Sequence, residues 1–378
     1  MHSIFVYVIN YCMMDLTGGG GSPTERKFDK GCVSLKKYYY AAGNTSAGFV
    51  NLIKSNVHYL KQIISLKHPS HRLKTAILQE IIETYEQKEP MEILKSSLGE
   101  AYIDGVILPQ KSIAILDNYM TKELEDVVEL DLERFFPKQP PKNQELYAAY
   151  EGKRKEAYDS FAQGLAIHDD LEAIYVREMD FSKADRLAER FIAELVTAQP
   201  DKNKKSRITY RFFGTNTRDG VVNVVPHIIE SIPKVYYIKG RAGTGKSTFM
   251  KKVGNACSAK GYDVFLYRCS FDPNSLDMVH VPELGFSMFD STEPHEFFPG
   301  REGEEIIDLY EETVTPGTDE KYADEIGKIT RHYKSFMKKG IVYLKEAGEI
   351  FDQIEETYPF DEETKGNIAS FILTKVIS

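Results

Sequence analysis

In the second half of the chain, short apolar runs alternate with stretches whose apolar positions recur every three or four residues. The runs predict strands at 208–213, 235–239, 264–268 and 286–289, the last ending in Asp290. Between them, 247–260 reads as a helix stopped by Gly261. Strands alternating with helices predict an α/β architecture, a mainly parallel sheet with helices on both faces. Beyond Gly300 the spacing turns helical, at 304–312, 322–347 and 349–358. A similar tail runs from about residue 144 to residue 196. Each tail predicts an antiparallel helical hairpin, serving as a lid, an interface or simple packing.

The two tails belong to two copies of one unit. At an offset of 172 residues, Gly48-Phe49-Val50-Asn51 falls on Gly220-Val221-Val222-Asn223, and Asn44-Thr45 on Asn216-Thr217. Leu60, Ile63, Leu66 and Lys67 fall on Ile232, Val235, Ile238 and Lys239, and the register holds as far as Lys74-Thr75 on Lys246-Ser247. One residue further out, Asp104, Val106, Pro109 and Asp117 meet Asp277, Val279, Pro282 and Asp290. Matching special residues together with apolar ones marks a duplication. The predicted organisation is an N-terminal extension at 1–34, a first lobe at 35–197, a linker at 198–206 and a second lobe at 207–378.

The copies differ where chemistry is expected. Residues 240–248 read Gly240-Arg241-Ala242-Gly243-Thr244-Gly245-Lys246-Ser247-Thr248, a G-x-x-x-x-G-K-[ST] phosphate-binding loop between a predicted strand and a predicted helix. Such a loop turns successive N–H groups towards an anion and adds the positive end of a helix. Lys246 is expected to reach the β- and γ-phosphates, and Ser247 to ligate Mg²⁺. The first copy has Lys67-His68-Pro69-Ser70-His71-Arg72-Leu73-Lys74-Thr75 instead, with no glycine, and is expected not to hold nucleotide.

Asp290, at the end of its apolar run, has the form of a Walker B carboxylate and a second Mg²⁺ ligand. No Glu follows it directly; the nearest is Glu293. Asp272, just past the strand at 264–268, is a candidate for orienting water or taking a proton from a substrate hydroxyl. Asp272-Pro273-Asn274-Ser275 is also turn chemistry, and both readings stay open. Asp277 recurs as Asp104, which favours a structural role. Arg218, Arg241 and Arg268 are candidate charge stabilisers, with surface arginines as the plainer reading. Arg72 of the first copy is a candidate to reach the active γ-phosphate. His295 is read as a loop residue near the Walker B end, and Glu304-Glu305 and Glu311-Glu312 as solvated helix faces.

Charge and composition narrow the partners. A net charge of -9 without a basic stripe argues against nucleic acid, and no apolar run approaches a membrane span. The four cysteines, Cys12, Cys32, Cys257 and Cys269, form no C-x-x-C pair, as expected of reduced thiols in a cytoplasmic protein. Residues 4–14 are apolar but lack a basic flank and a cleavage site, and 18–23 is a Gly-rich linker. The first 34 residues are therefore expected to be a disordered extension or to precede a start at Met13, Met14 or Val33.

Tyr237-Ile238-Lys239-Gly240 through Thr248, Asp272-Pro273-Asn274-Ser275-Leu276-Asp277, Val281-Pro282-Glu283-Leu284 and Phe289-Asp290-Ser291-Thr292-Glu293-Pro294-His295 resemble one family. It comprises tandem P-loop ATPases or ATP-binding proteins, frequent in spore-forming, Gram-positive bacteria and without an established substrate. The resemblance runs from about Leu35 to the helical tail. It implies ATP binding and a cytoplasmic location, and both family copies commonly carry the glycine loop, from which residues 68–73 depart. Three functions stay open. The leading one is a slow, Mg²⁺-dependent ATPase whose nucleotide state moves the hairpins and the first lobe, signalling to a protein partner or a homodimer. The second is a kinase for a small molecule, and the third is nucleotide binding for regulation alone. ATP is preferred to GTP because no N-K-x-D signature is present.

Overall fold

A computed structural model describes residues 35–136, 140–196 and 205–377. The expected extension at 1–34, and all of the 198–206 linker but its last two residues, lie outside them. In the first repeat, β1 (Lys36–Tyr40) leads into a hairpin of β2 (Ala42–Thr45) and β3 (Gly48–Asn51) and a short α1 (Ile53–Val57). Then come β4 (Gln62–Lys67), α2 (His71–Tyr85), β5 (Met91–Lys95), β6 (Ile103–Leu108), β7 (Ile113–Asp117) and β8 (Val127–Asp131). Two helices end it, α3 (Gln144–Arg177) and α4 (Phe181–Leu195).

The second repeat has the same order: β9 (Ile208–Arg211), β10 (Gly214–Thr217), β11 (Gly220–Asn223), α5 (Val225–Ile229), β12 (Lys234–Lys239) and α6 (Lys246–Ala259). It continues through β13 (Val264–Arg268), β14 (Leu276–Val281), β15 (Phe286–Asp290) and β16 (Glu304–Asp308). The helices α7 (Leu309–Thr313), α8 (Thr318–Lys321), α9 (Ala323–Glu356) and α10 (Glu362–Lys375) complete it.

The two large sheets are ordered β1-β5-β6-β7-β4-β8 and β9-β13-β14-β15-β12-β16. In each, one strand (β6 or β14) runs against its neighbours and the other pairings are parallel. Two expectations are corrected here. The segment between 268 and 286 contains β14, whose Asp277 interrupts the apolar run and hides the strand. Residues 304–308 form β16, not a helix, because Ile306-Ile307 extend the sheet beside β12. The helix starts only at Leu309, where the Asp308 carboxylate caps it by accepting from the N–H groups of Tyr310 and Glu311.

The repeats join through a third sheet, β11-β10-β2-β3. Asn44 donates from Nδ2 to the Asn216 carbonyl at 2.8 Å, and Asn216 returns the bond to the Asn44 carbonyl at 2.9 Å. Tyr40 and Phe212, also equivalent positions, exchange backbone bonds of 3.0 and 2.8 Å. Around them the apolar core is shared, with Tyr39, Leu94 and Leu116 packing beside Phe213, Val235 and Phe289. A buried ion pair crosses the same seam: Arg211 donates to Glu92 (2.7 Å) and Asn56 (2.9 Å), and the Tyr39 hydroxyl also donates to Glu92 (2.7 Å).

The tails do not form the expected hairpins. Helix α3 lies antiparallel against α9, with Tyr150 beside Phe351, Gly164 beside Phe336 and His168 beside Tyr333. Each helix is 34 residues, about 50 Å at 1.5 Å per residue. Such a rod carries the chain across the molecule before it can turn. Thus α4 packs Leu187, Ala188 and Phe191 onto Tyr236, Phe249 and Val253 of the second repeat. Likewise α10 packs Ile368, Ala369 and Ile372 onto Ile64, Leu66 and Ile77 of the first. The corner after α3 is pinned to the second repeat, Asp180 N–H to the Thr313 carbonyl at 2.7 Å. Among the described residues no helix is long and apolar enough to cross a membrane.

The helix pair yields a test. A methyl group at Gly340 would run into the ring of fully buried Phe161, whereas one at Gly164 would meet Met337 Sδ at an ordinary 3.4 Å. Overpacking costs about 1–3 kcal/mol, whereas relieving a helical glycine gains up to about 1 kcal/mol. Gly340→Ala is expected to lower the thermal midpoint and Gly164→Ala to leave it unchanged or raise it, as read by circular dichroism.

Candidate functional site

Strand β12 is buried over Val235-Tyr236-Tyr237-Ile238, and its register sets Ile238 opposite Asp290 of β15. This pairing brings the loop after β12 and the carboxylate ending β15 to one sheet edge. Gly243 (φ +72°) and Gly245 (φ +80°) are left-handed, a conformation that favours glycine at both positions. Buried Thr244 fastens the loop, donating from Oγ1 to the Arg241 carbonyl (2.9 Å) and accepting from Arg241 N–H (3.2 Å). The Lys246 ammonium donates to the same carbonyl at 2.8 Å and lies 3.6 Å from Asp290 Oδ2. The Ser247 hydroxyl accepts from Leu276 N–H at 2.9 Å, and Asp290 Oδ1 accepts from Thr292 N–H and Oγ1–H at 3.1 and 2.6 Å. Thr248 is exposed on the first turn of α6.

Loop, lysine and carboxylate therefore converge at one sheet edge. The donor set suits a hard cation shared with phosphate oxygens: one hydroxyl and one carboxylate, the few protein ligands Mg²⁺ takes beside phosphates. Among the described residues no three His, Cys, Asp or Glu side chains cluster as metal ligands.

Asp272 makes a turn, its Oδ1 accepting from Asn274 N–H (3.0 Å) and its Oδ2 from the Ser275 hydroxyl (2.7 Å). Asp277 is buried on β14, where desolvation and the Asp290 charge push its carboxyl up to about 8. Asp104 is raised to about 7, again chiefly by burial. The other candidates are spent elsewhere. Arg241 pairs with Asp319 at 2.9 Å, and Arg268 lies over the Tyr210 ring. Arg218 and Arg72 both hold Asp352, at 2.6 and 2.9 Å. Asp352 adjoins Phe351, which meets α3 at Tyr150, whereas the glycine loop meets α3 at Glu172. That separation is roughly 30 Å along the helix, too far for Arg72 to serve the loop. His295 packs edge-on to Phe213 and is held down to about 4 by burial.

Helix α3 covers the loop, an arrangement that no sequence signal announces. A Cβ on Gly243 would sit 2.5 Å from the Glu172 carbonyl, and one on Gly245 would sit 3.4 Å from Met179, in the corner just after α3. One turn before Glu172, His168 lies between Phe271 (5.5 Å) and Tyr333 (5.2 Å). Burial and the Lys246 charge hold His168 down to about 4. His168 and Glu172 share a helix face at i,i+4 spacing, but nothing local in the sequence ties that face to a loop in the other repeat.

The corresponding loop of the first repeat is closed by α9. The Glu355 carboxylate, 3% exposed, accepts from the Ser70 hydroxyl (2.7 Å) and from the N–H groups of His71 (2.6 Å) and Arg72 (3.2 Å). It sits where a helix N-terminus would otherwise receive an anion. Below it, fully buried Lys74 pairs with Asp117 at 2.8 Å, and His71 Nδ1 lies 2.8 Å from the same carboxylate. Burial opposes ionisation of Asp117, but its contacts with His71 and Lys74 hold it at about 2.

Replacing Glu355 leaves buried donors bare, at about 1–3 kcal/mol each. Glu355→Ala is expected to lower the thermal midpoint by several degrees, and millimolar inorganic phosphate to recover part of the loss in the variant but not shift the parent. Equal phosphate response in both proteins would contradict this assignment. Set against protein-family models, curated protein sequences and solved structures, the chain matches none.

Proposed function

We propose that the second repeat binds a nucleoside triphosphate, ATP in preference, together with Mg²⁺, and hydrolyses it slowly. The observation that carries this reading is the loop at 240–245. It joins a buried strand to a helix through two left-handed glycines, with Lys246 and Asp290 3.6 Å apart beneath it. In this reading the loop amides and Lys246 hold the phosphates, and Ser247 and Asp290 hold the cation. Residues 240–248 form the phosphate site. The resemblance of this segment to tandem P-loop proteins agrees with it.

The first repeat then serves as a permanently closed partner, its anion position filled by Glu355. Nucleotide state would act on α3, because that helix rests on Gly243, Met179 just beyond its end rests on Gly245, and its other end lies in the first repeat. A protein partner would read that movement, and the internal pairing of repeats stands in for a homodimer. The kinase reading is weaker, since both Asp272 oxygens already accept bonds within their own turn. The unpaired thiols Cys257 and Cys269 accord with a reducing, cytoplasmic setting.

Titration calorimetry with Mg²⁺-ATP tests the site. Lys246→Ala should weaken binding by about 3 kcal/mol, on the order of a hundredfold. Asp290→Asn should keep nucleotide while losing most Mg²⁺-dependent phosphate release. Lys74→Ala should destabilise the fold yet leave nucleotide affinity unchanged. Full affinity in the Lys246 variant would refute the proposed site.

A further inference from the structure

The second repeat has no Glu beside Asp290 to handle water. We propose that Glu172, on α3 of the first repeat, is the catalytic carboxylate that activates water at the glycine loop. This rests on the nucleotide reading above.

Three observations at Glu172 and one in the first repeat support it. The backbone of Glu172 lies directly against Gly243, the middle of the loop, so this turn of α3 is the nearest covering structure there. Its side chain is directed along the His168 face, His168 Nδ1 standing 3.7 Å from Glu172 Oε1. That face is fixed by Phe271 and Tyr333, and Phe271 adjoins Asp272 at the sheet edge. The charges of Lys246 and Asp272 both act on the Glu172 carboxyl, as does that of neighbouring Asp169. The first repeat demonstrates the reach of such a helix: α9 delivers the Glu355 carboxylate to within 2.6 Å of the equivalent loop.

Glu355 occupies the anion position itself. Glu172 touches the loop at Gly243 through its backbone while its carboxylate lies towards His168, which leaves that position to phosphate. The step is an in-line displacement. Water oxygen bonds to the γ-phosphorus, the bond from γ-phosphorus to the β,γ-bridging oxygen breaks, and its electron pair leaves with ADP. The water proton passes to the Glu172 carboxylate and from there to solvent. Burial and the neighbouring Asp169 raise the carboxyl above its ordinary range, which makes it a better proton acceptor.

The test uses the full chain with Mg²⁺-ATP, comparing the parent with Glu172→Gln, Glu172→Ala and, as a control, exposed Asp170→Asn. Affinity is read by calorimetry and hydrolysis by single-turnover phosphate release from about pH 4.5 to 8.5, a span that brackets a raised carboxylate. The expected result is affinity within about threefold of the parent and hydrolysis reduced by about 10²–10⁴ in both Glu172 variants. The acid limb of the parent pH profile, set above the usual carboxylate range, should vanish in Glu172→Gln, and Asp170→Asn should match the parent. Parent-like hydrolysis with the acid limb intact in Glu172→Gln would overturn the assignment. So would a parent protein that binds ATP and releases no phosphate, although nucleotide binding would then stand. A parent protein that binds no ATP would overturn both.

Discussion

The antiparallel packing of α3 on α9 is the constraint on which the rest of the molecule depends. A helix of 34 residues cannot turn back onto the sheet that precedes it. It must carry the next helix to the far side, and so each repeat completes its neighbour's core with its last helix. Each sheet is covered partly by its own helix, α2 or α6, and partly by the other repeat's last helix. The arrangement also explains the reciprocal Asn44 and Asn216 bonds and the buried Arg211–Glu92 pair. Polar groups sealed into that seam are fully satisfied only when both repeats are folded together.

The same rods bring foreign residues to both loops, and here the duplicates have diverged by complementary changes. On the first side the glycines are gone, the lysine and aspartate form a sealed ion pair, and a carboxylate from α9 fills the amide pocket. On the second the glycines remain, the lysine folds loosely over its own loop, and α3 lies above without entering. Losing glycine in one loop and gaining an internal anion are two halves of one change. A helix N-terminus that no longer receives a ligand still has N–H groups to satisfy. Glu355 satisfies them.

Much of this was legible in the sequence. The repeat offset, the buried strand before Gly240 and the terminal position of Asp290 placed Lys246, Ser247 and Asp290 together, because loop and strand end are coupled by sheet register. The α/β class, with mixed and mostly parallel sheets, followed from alternating strand and helix signals. Strand β14 was hidden because burial on both faces removes alternation and Asp277 breaks the run. Strand β16 was hidden by the acidic pair before Ile306. The exchanged tails were out of reach for a different reason. An amphipathic stripe says that a helix buries one face, not which repeat buries it. Glu172 and Glu355 were invisible on the same ground, since their roles depend on where a long helix ends and not on neighbours in sequence.

The stoichiometry of Mg²⁺-ATP binding to the full chain, by calorimetry on protein of known concentration, is the decisive measurement for this division of labour between the repeats. One nucleotide per chain, bound at the second repeat, is the predicted result. Two equivalent nucleotides per chain would mean that Glu355 yields the first loop to phosphate, and no binding at all would mean that the glycine loop serves another purpose.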